Sequence, residues 1–194
     1  MKYFTKLFPF SLILIFFCVY IAGCVNLEQK TIINSDGSGS MKIKYWTKTN
    51  NITGDELGVF GFSEEKVESN YFSPYTYVSG VNIEKDATID SFTVVTLNLN
   101  FKDFNKISEA KSFSQIKASY GKSDNGMQFK YILLQDTSNA NTFGASDYKL
   151  TYEFEFPSEV IMSNGKTSGN TVTWKKTVAD LKEDVEFMAY IKSE

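Results

Sequence analysis

The sequence contains no histidine and no arginine, so every positive charge in its 194 residues is a lysine. Without histidine, neither a Ser-His-Asp nor a Cys-His catalytic arrangement can form, and zinc sites built on histidine are excluded. Nucleic-acid-binding domains usually carry a basic stripe, often with arginine, whereas these lysines are scattered along a chain of net charge −3. We therefore expect no nucleic-acid partner, and the chemistry that remains is that of carboxylates, lysines and oxygen ligands.

Cysteine is equally scarce, because the sequence holds two, Cys18 and Cys24. Cys18 lies inside the apolar N-terminal run and would leave with a cleaved leader. Once Cys24 is acylated, the mature chain has no thiol for a disulfide or for a metal. Residues 24–194 are long enough for one domain with a substantial core, and that core must supply the stability.

The first 23 residues have the layout of a secretory signal peptide. Lys2 and Lys6 give a positive start, residues 7–20 are apolar, and small residues ending in Gly23 precede Cys24. The apolar run is shorter than the roughly 20 residues that span a bilayer. A cysteine at this place resembles the bacterial lipobox. The resemblance implies cleavage between Gly23 and Cys24 and a diacylglycerol anchor, with acyl chains such as palmitate, on Cys24.

The anchor predicts an exported protein held to a membrane that faces the periplasm or the cell exterior. Two acyl chains on one residue give stable anchoring, whereas one chain binds only marginally. Val25, rather than an aspartate, follows Cys24 and favours the outer membrane in a cell that has one. A strand is predicted from Leu27 onward, so the domain is expected to lie directly against the lipid headgroups.

Alternation of apolar and polar residues predicts an α+β domain with about nine strands and one or two short helices. Ser63 and Asp103 have the features of helix N-caps. Hairpin connections dominate, so we expect a mostly antiparallel curved sheet or half-barrel. The predicted strands are residues 27–33, 41–46, 81–89, 92–101, 114–120, 127–134, 148–155, 160–162, 171–175 and 185–191.

Three groups of acidic residues are candidates for metal binding or catalysis. Asp36 lies in a Gly-Ser-rich segment but lacks the spaced oxygens and closing glutamate of a calcium loop, so a hairpin turn is favoured. Glu64 and Glu68 would share a helix face as a solvated first turn. Glu153 and Glu155 could be spaced as glycosidase carboxylates, with no other support. We expect no metal, no cofactor and no enzymatic activity.

The aromatic residues are the more suggestive feature. Phe92, Phe101, Tyr148, Tyr152 and Phe154 lie in or beside predicted strands and could line the concave face of a curved sheet. A packed core is the simpler interpretation of these rings. The alternative is an apolar cavity that takes an acyl chain or another amphiphile.

Two parts of the sequence carry motifs that match a known family. The first is Asn34-Ser35-Asp36-Gly37-Ser38-Gly39 between two strands, after the lipobox cysteine. The second comprises Phe156-Pro157-Ser158-Glu159-Val160, Ser163-Asn164-Gly165 and Gly169-Asn170-Thr171-Val172-Thr173-Trp174. These motifs resemble the LppM-like lipoprotein domain of membrane-anchored envelope proteins. The resemblance implies an envelope domain with an α+β fold and, for at least one branch, contact with membrane lipids or glycolipids.

The leading hypothesis from the sequence is a non-enzymatic envelope lipoprotein that binds a lipid or similar amphiphile at the membrane surface. Its partners would be membrane lipid, through Cys24, and a lipid or glycolipid ligand. The alternative is a structural or assembly module that docks on an envelope protein partner. A hydrolase is kept as a remote third class.

Overall fold

The computed structural model describes residues 25–85, 91–124, 126–135 and 147–193. The predicted signal peptide, the cleavage site at Gly23 and the lipidation site Cys24 lie outside the described residues. Most of the polar stretch that follows Gln135 also lies outside them.

Strands dominate the described chain. They are β1 (Asn26–Ile33), β2 (Gly39–Lys48), β3 (Glu56–Leu57), β4 (Phe60–Gly61), β5 (Thr76–Lys85), β6 (Phe92–Phe101), β7 (Ile116–Ser123), β8 (Gly126–Leu133), β9 (Lys149–Glu155), β10 (Val160–Ser163), β11 (Lys166–Ser168), β12 (Thr171–Thr177) and β13 (Val185–Ile191). The helix α1 spans Glu64–Tyr71, and 3-10 helices span Thr49–Asn51, Phe104–Glu109, Lys111–Phe113 and Val178–Lys182.

The strands form two open sheets and a small pair. The large sheet has the order β11-β12-β9-β1-β2-β6-β5, the second has the order β10-β13-β8-β7, and β3 pairs with β4. Strands β1 and β9 run parallel, and the other strand pairs in the described part of the chain are antiparallel. The mostly antiparallel, strand-rich architecture with short helices is confirmed.

The prediction that about nine strands form one curved sheet or half-barrel is wrong in the number of sheets, because the strands divide between a seven-stranded and a four-stranded sheet. β10 and β13 do not join the large sheet but pair with each other and with β8 in the second sheet. Alternation shows which residues of a strand face a core, but it carries no information about which sheet a strand joins.

The core lies between the two sheets and under α1. Inward-facing residues of β6, Val95, Leu97 and Leu99, are fully buried, as the alternation predicts. The four-stranded sheet covers one half of the inner face of the large sheet. The other half is covered by α1, the β3–β4 pair and the 3-10 helices, where Tyr45 packs edge-on against Phe62 with ring centroids 5.5 Å apart.

The first predicted helix is confirmed and the second differs in type. The Ser63 side chain accepts a hydrogen bond from the Lys66 backbone N–H at 3.4 Å and caps α1. The segment after Asp103 is a 3-10 helix, with i to i−3 bonds such as Ala110 N to Ile107 O at 3.1 Å. No helix in the described part of the chain is long and apolar enough to span a bilayer.

Strand β5 begins at Thr76, before the predicted start at Val81. Its pairing with β6 changes register between Val78 and Gly80, where a bulge inserts an extra residue. A bulge breaks the two-residue alternation, so the pattern could not identify the first half of this strand.

Candidate functional site

An open cleft lies at the end of the sandwich opposite to the start of β1. Four segments meet there: the β1–β2 turn, the β7–β8 hairpin, the chain after β9 and the chain after β13. The cleft has a volume of about 380 Å³ and is lined by Ser35, Tyr120, Lys122, Ser123, Gly126, Met127, Pro157, Ser158, Lys192 and Ser193. This volume falls in the range of small-molecule sites, which is roughly 300 to 1,000 Å³.

The β1–β2 turn supplies one wall of the cleft. The Asp36 carboxylate accepts hydrogen bonds from the Ser38 backbone N–H at 2.9 Å and from the Ser38 hydroxyl at 2.6 Å. These two bonds hold the pKa of Asp36 below its usual value. Gly37 has a φ of +83°, a left-handed conformation that favours glycine. Asp36 is therefore used in closing the turn, as the sequence favoured.

The β7–β8 hairpin supplies the opposite wall and packs on the end of β13. Gly126 has a φ of +127°, and a Cβ placed on it would clash with the Ile191 carbonyl oxygen. Because glycine has no Cβ, the hairpin tip can approach the end of β13 this closely. That approach brings Lys122 and Lys192 into the lining of one cleft.

The polar groups that line the cleft include lysine ammonium groups and serine hydroxyls. Within the described residues, no carboxylate oxygen lies within 4 Å of the ammonium group of Lys122 or Lys192. Four serines add hydroxyl groups, and Met127 and Pro157 add apolar surface. Such a lining suits a ligand with an anionic or hydroxyl-bearing head and an apolar part.

Acidic clusters of the kind that bind metals are missing from the described part of the chain: it holds no group of three or more Asp, Glu, Cys or His side chains that could hold an ion. Glu64 lies in the first turn of α1, as predicted. Glu153 forms an ion pair with Lys30 at 3.2 Å on the solvent side of the large sheet.

The five aromatic residues predicted to line a ligand cavity do not come together in this cleft. Phe101, Tyr152 and Phe154 are buried in the core, Phe92 is 40 % exposed on the opposite face of the large sheet, and Tyr148 is half-buried just before β9. Their role as ligand-lining residues stays a prediction.

The rings between the two sheets are closely packed. The centroid of Phe154 lies 4.7 Å from that of Phe129, and Phe187 lies 5.1 Å from Tyr152 and 5.2 Å from Trp174. Aromatic pairs prefer centroid separations of about 4.5 to 7 Å. Burial also raises the pKa of Tyr152 above its ordinary value. This half of the core is filled by interlocking side chains.

The segment Ser163-Asn164-Gly165 joins the two sheets through Trp174. The Trp174 indole N–H donates to Asn164 Oδ1 at 2.7 Å, and the same oxygen accepts from the Met188 backbone N–H of β13 at 2.9 Å. A Cβ on Gly165 would lie 2.6 Å from two atoms of the Trp174 ring. The spacing of Asn164, Gly165 and Trp174 therefore has a structural basis, which is the contact between the sheets.

The two cleft lysines were not predicted from the sequence. They are separated by about 70 positions in the chain, and each looked like an ordinary surface lysine. The available signals were indirect: the Asn-Gly turn that predicts the β7–β8 hairpin, and the Gly-Ser-rich turn around Asp36.

Comparison with known proteins places these observations in a family. A sequence model described as the LppM domain matches residues 38–189. The NMR structure of the folded domain of LppM from Mycobacterium tuberculosis aligns with a TM-score of 0.52 and 12 % identity, covering 88 % of this chain and 91 % of that chain. At this identity the alignment shows a shared fold. The search of curated proteins found no significant match.

Proposed function

This chain belongs to the LppM domain family, and from that premise we propose that it is an exported lipoprotein domain that binds an amphiphile at a membrane surface. The anchor is the diacylglyceryl group on Cys24, after cleavage behind Gly23. Val25 after the anchor favours the outer membrane in a cell that has one. The domain acts by binding and carries out no chemical step.

The observation that carries the proposal is the cleft between the β1–β2 turn and the β7–β8 hairpin. Lys122 and Lys192 provide two cationic groups at its rim, and serine hydroxyls can donate to a phosphate or to sugar oxygens. Met127 and Pro157 offer apolar contact to the first carbons of an acyl chain. An anionic lipid or glycolipid headgroup combines these features in one ligand.

A binding role also accounts for the acidic residues. Glu153, one of the two carboxylates that could be spaced for glycoside hydrolysis, is paired with Lys30 on the solvent side of the large sheet. Glu155 is exposed on the same side of β9. Neither contributes to the cleft, whose ionisable lining groups are lysines and Tyr120.

The ligand proposal is tested by titrating the mature chain with lysophosphatidylglycerol, a single-chain anionic amphiphile. We expect saturable binding, detected by native mass spectrometry, and at least a tenfold loss of affinity in Lys122→Gln/Lys192→Gln. The matched control is Lys102→Gln/Lys166→Gln, which removes two exposed lysines elsewhere and should bind normally. Equal affinity in both double variants would contradict the assignment of the cleft.

The anchoring proposal is tested separately by mass spectrometry of the chain isolated from membranes. The expected mass is that of residues 24–194 plus a diacylglyceryl group, with a further acyl chain if the N-terminus is modified. Cys24→Ser should move the protein to the soluble fraction. Retention of residues 1–23, or an unmodified Cys24 in the membrane fraction, would refute it.

A second candidate function, docking on an envelope protein complex, is favoured by the edge strand β10. Ile161 is 61 % exposed and Met162 is 54 % exposed on this strand. Exposed sheet edges with apolar side chains are common sites of pairing with another chain. A photocrosslinker at Ile161 should trap a reproducible partner in native membranes if the domain docks there. The absence of any crosslinked partner would contradict docking at this edge.

A further inference from the structure

The two faces of the large sheet differ, and its outer face is left uncovered by the rest of the described chain. On β1 and β2 the side chains that point inward are buried, whereas the alternate residues are exposed or half-buried. Both covering layers, the four-stranded sheet and the α1 region, pack on the inner face. The outer face is therefore a broad surface available for contact.

The centre of this outer face is basic although the whole chain has a net charge of −3. The lysines that point outward from β1 and β2 are Lys30, Lys42, Lys44 and Lys48. The carboxylate that points outward from the same two strands is Glu28. On neighbouring strands, Glu153 pairs with Lys30 and further carboxylates include Glu155 and Glu84. The lysines of β2 have no salt-bridge partner among the described residues.

Aromatic side chains lie among these lysines at one end of the face. Trp46 is half-buried and Phe92 is 40 % exposed, and the Lys44 ammonium lies 5.4 Å from the centroid of the Trp46 ring. At the other end, Ile32 is 47 % exposed and Tyr77 is 49 % exposed. Tryptophan and tyrosine are enriched at the interface of membranes, where an apolar ring and a polar edge are both satisfied.

The chain enters the fold beside the aromatic end of the face. Asn26, at the start of β1, pairs with Trp46 of β2. Cys24 precedes Asn26 by two residues, which is about 7 Å of extended chain. A lipid on Cys24 would thus be held close to Trp46.

We propose that the outer face of the large sheet lies on an anionic bilayer, with Trp46 and Phe92 at headgroup level and the β2 lysines against acidic lipids. The inference rests on the proposed anchoring at Cys24. The charges are complementary, because an anionic leaflet attracts lysines within about a Debye length of its surface.

This orientation also explains how the cleft reaches lipid. If β1 stood perpendicular to the bilayer with Cys24 at the membrane, its eight residues would separate the cleft from the bilayer by about 25 Å. In a domain lying on its outer face, the cleft is raised by about the thickness of one sheet layer, roughly 10 Å. Lipid headgroups are within reach of the cleft in the second arrangement.

The test uses the mature lipidated chain in vesicles that carry bromine on the acyl chains near the headgroups. Bromine on the lipid can quench Trp46 on the outer face but not Trp174, which is 4 % exposed in the core. We expect strong quenching of Trp46 in phosphatidylglycerol vesicles and at least twofold weaker quenching in phosphatidylcholine. Trp46→Phe should remove most of the quenching and leave the Trp174 signal.

Charge reversal provides the second arm. Lys42→Glu/Lys44→Glu should reduce quenching in phosphatidylglycerol at least twofold while the lipid anchor still holds the chain to vesicles in flotation. The matched control, Lys117→Glu/Lys182→Glu, reverses two exposed lysines away from this face and should leave quenching unchanged.

The outcomes separate the two proposals. A chain that fails to float with vesicles would overturn both the anchoring and the orientation. A chain that floats but shows no quenching of Trp46 would overturn the orientation alone. Quenching that is equal in both lipids and indifferent to Lys42→Glu/Lys44→Glu would also overturn it. In native membranes, a crosslinker could attach an acidic protein to the wild-type chain but not to Lys42→Glu/Lys44→Glu. That result would assign the face to the protein and overturn the orientation on the bilayer.

Discussion

The inner and outer faces of the seven-stranded sheet are built from alternate residues of the same strands, yet they obey different constraints. On β9, Tyr152 and Phe154 point inward and are buried among rings, whereas Glu153 points outward and pairs with Lys30. The inner face is fixed by packing, because each ring touches several others. The outer face is formed by side chains that are exposed or half-buried, so packing constrains them less.

The difference indicates where function can reside in this domain. A core filled with interlocking rings tolerates few changes, and its composition is explained by stability. The lysines and Trp46 on the outer face, and the lysines of the cleft, contribute little to packing. Their arrangement is therefore free to serve binding.

The largest effect is expected from truncating a central ring of the inner face. Phe154 is fully buried, and its ring centroid lies 4.7 Å from Phe129 and 5.3 Å from Tyr131. Phe154→Ala should lower the free energy of unfolding by about 3 to 5 kcal/mol, measured by urea denaturation. Asn98→Ala, on the outer face of β6, should change it by less than about 0.5 kcal/mol. Similar losses in both variants would show that the faces do not differ as described.

The second largest effect is expected at Gly165, which packs against the Trp174 ring on the inner face. The Cβ of Gly165→Ala would meet the indole ring at 2.6 Å. Trp174 cannot withdraw easily, because its N–H is bonded to Asn164. We expect a loss of about 1 to 3 kcal/mol in unfolding free energy. Gly121→Ala is the matched control, since a Cβ there meets nothing within 4 Å. Near-wild-type stability of the first variant would mean that the turn relaxes.

A smaller effect is expected from pH, through an ion-pair cluster in the layer that covers the inner face. Glu56 accepts from Lys111 Nζ at 3.1 Å and lies 3.7 Å from Lys66 Nζ. The hydrogen bond from Lys111, together with the charges of both lysines, lowers the pKa of Glu56 in the folded state. Its contribution to stability is therefore present above the carboxyl pKa of the unfolded chain, and it is lost as the pH falls through the lower folded value.

The measurement is the urea midpoint of the wild-type chain and of Glu56→Gln across the acid range. The two should differ at neutral pH and converge as the carboxylate is protonated. Glu109→Gln offers a control, because its lysine contact is longer, at 3.8 Å. A constant difference between Glu56→Gln and wild type at every pH would contradict the predicted role of ionisation.

The smallest effect is expected on the outer face itself. The pair Lys30–Glu153 spans β1 and β9, and both side chains are solvent-accessible. A double-mutant cycle with Lys30→Ala and Glu153→Ala should give a coupling of about 0.2 to 1 kcal/mol that shrinks as salt is added. A salt-independent coupling of several kcal/mol would show that this face is held together as tightly as the inner one.

Much of the local structure could be predicted from the sequence. The bounds of β6, the Ser63 cap of α1 and the turn at Asp36 follow from alternation, capping and turn chemistry, and all three are present. The division into two sheets could not be predicted, because it depends on which strands pair across long separations. The cleft could not be predicted for the same reason, since Lys122 and Lys192 meet only when β8 pairs with β13.

The central position of β1 has a consequence for the order in which the protein can fold. β1 pairs with β2 next to it in the chain, but its other neighbour is β9, whose first residue is Lys149. More than a hundred residues lie between the end of β1 and the start of β9, and that parallel ladder can form only after all of them are available. Pairings of such long range form slowly, because loop closure must precede them. β1 therefore keeps one edge unpaired until β9 arrives, and the strand at the centre of the large sheet completes its pairing late in folding.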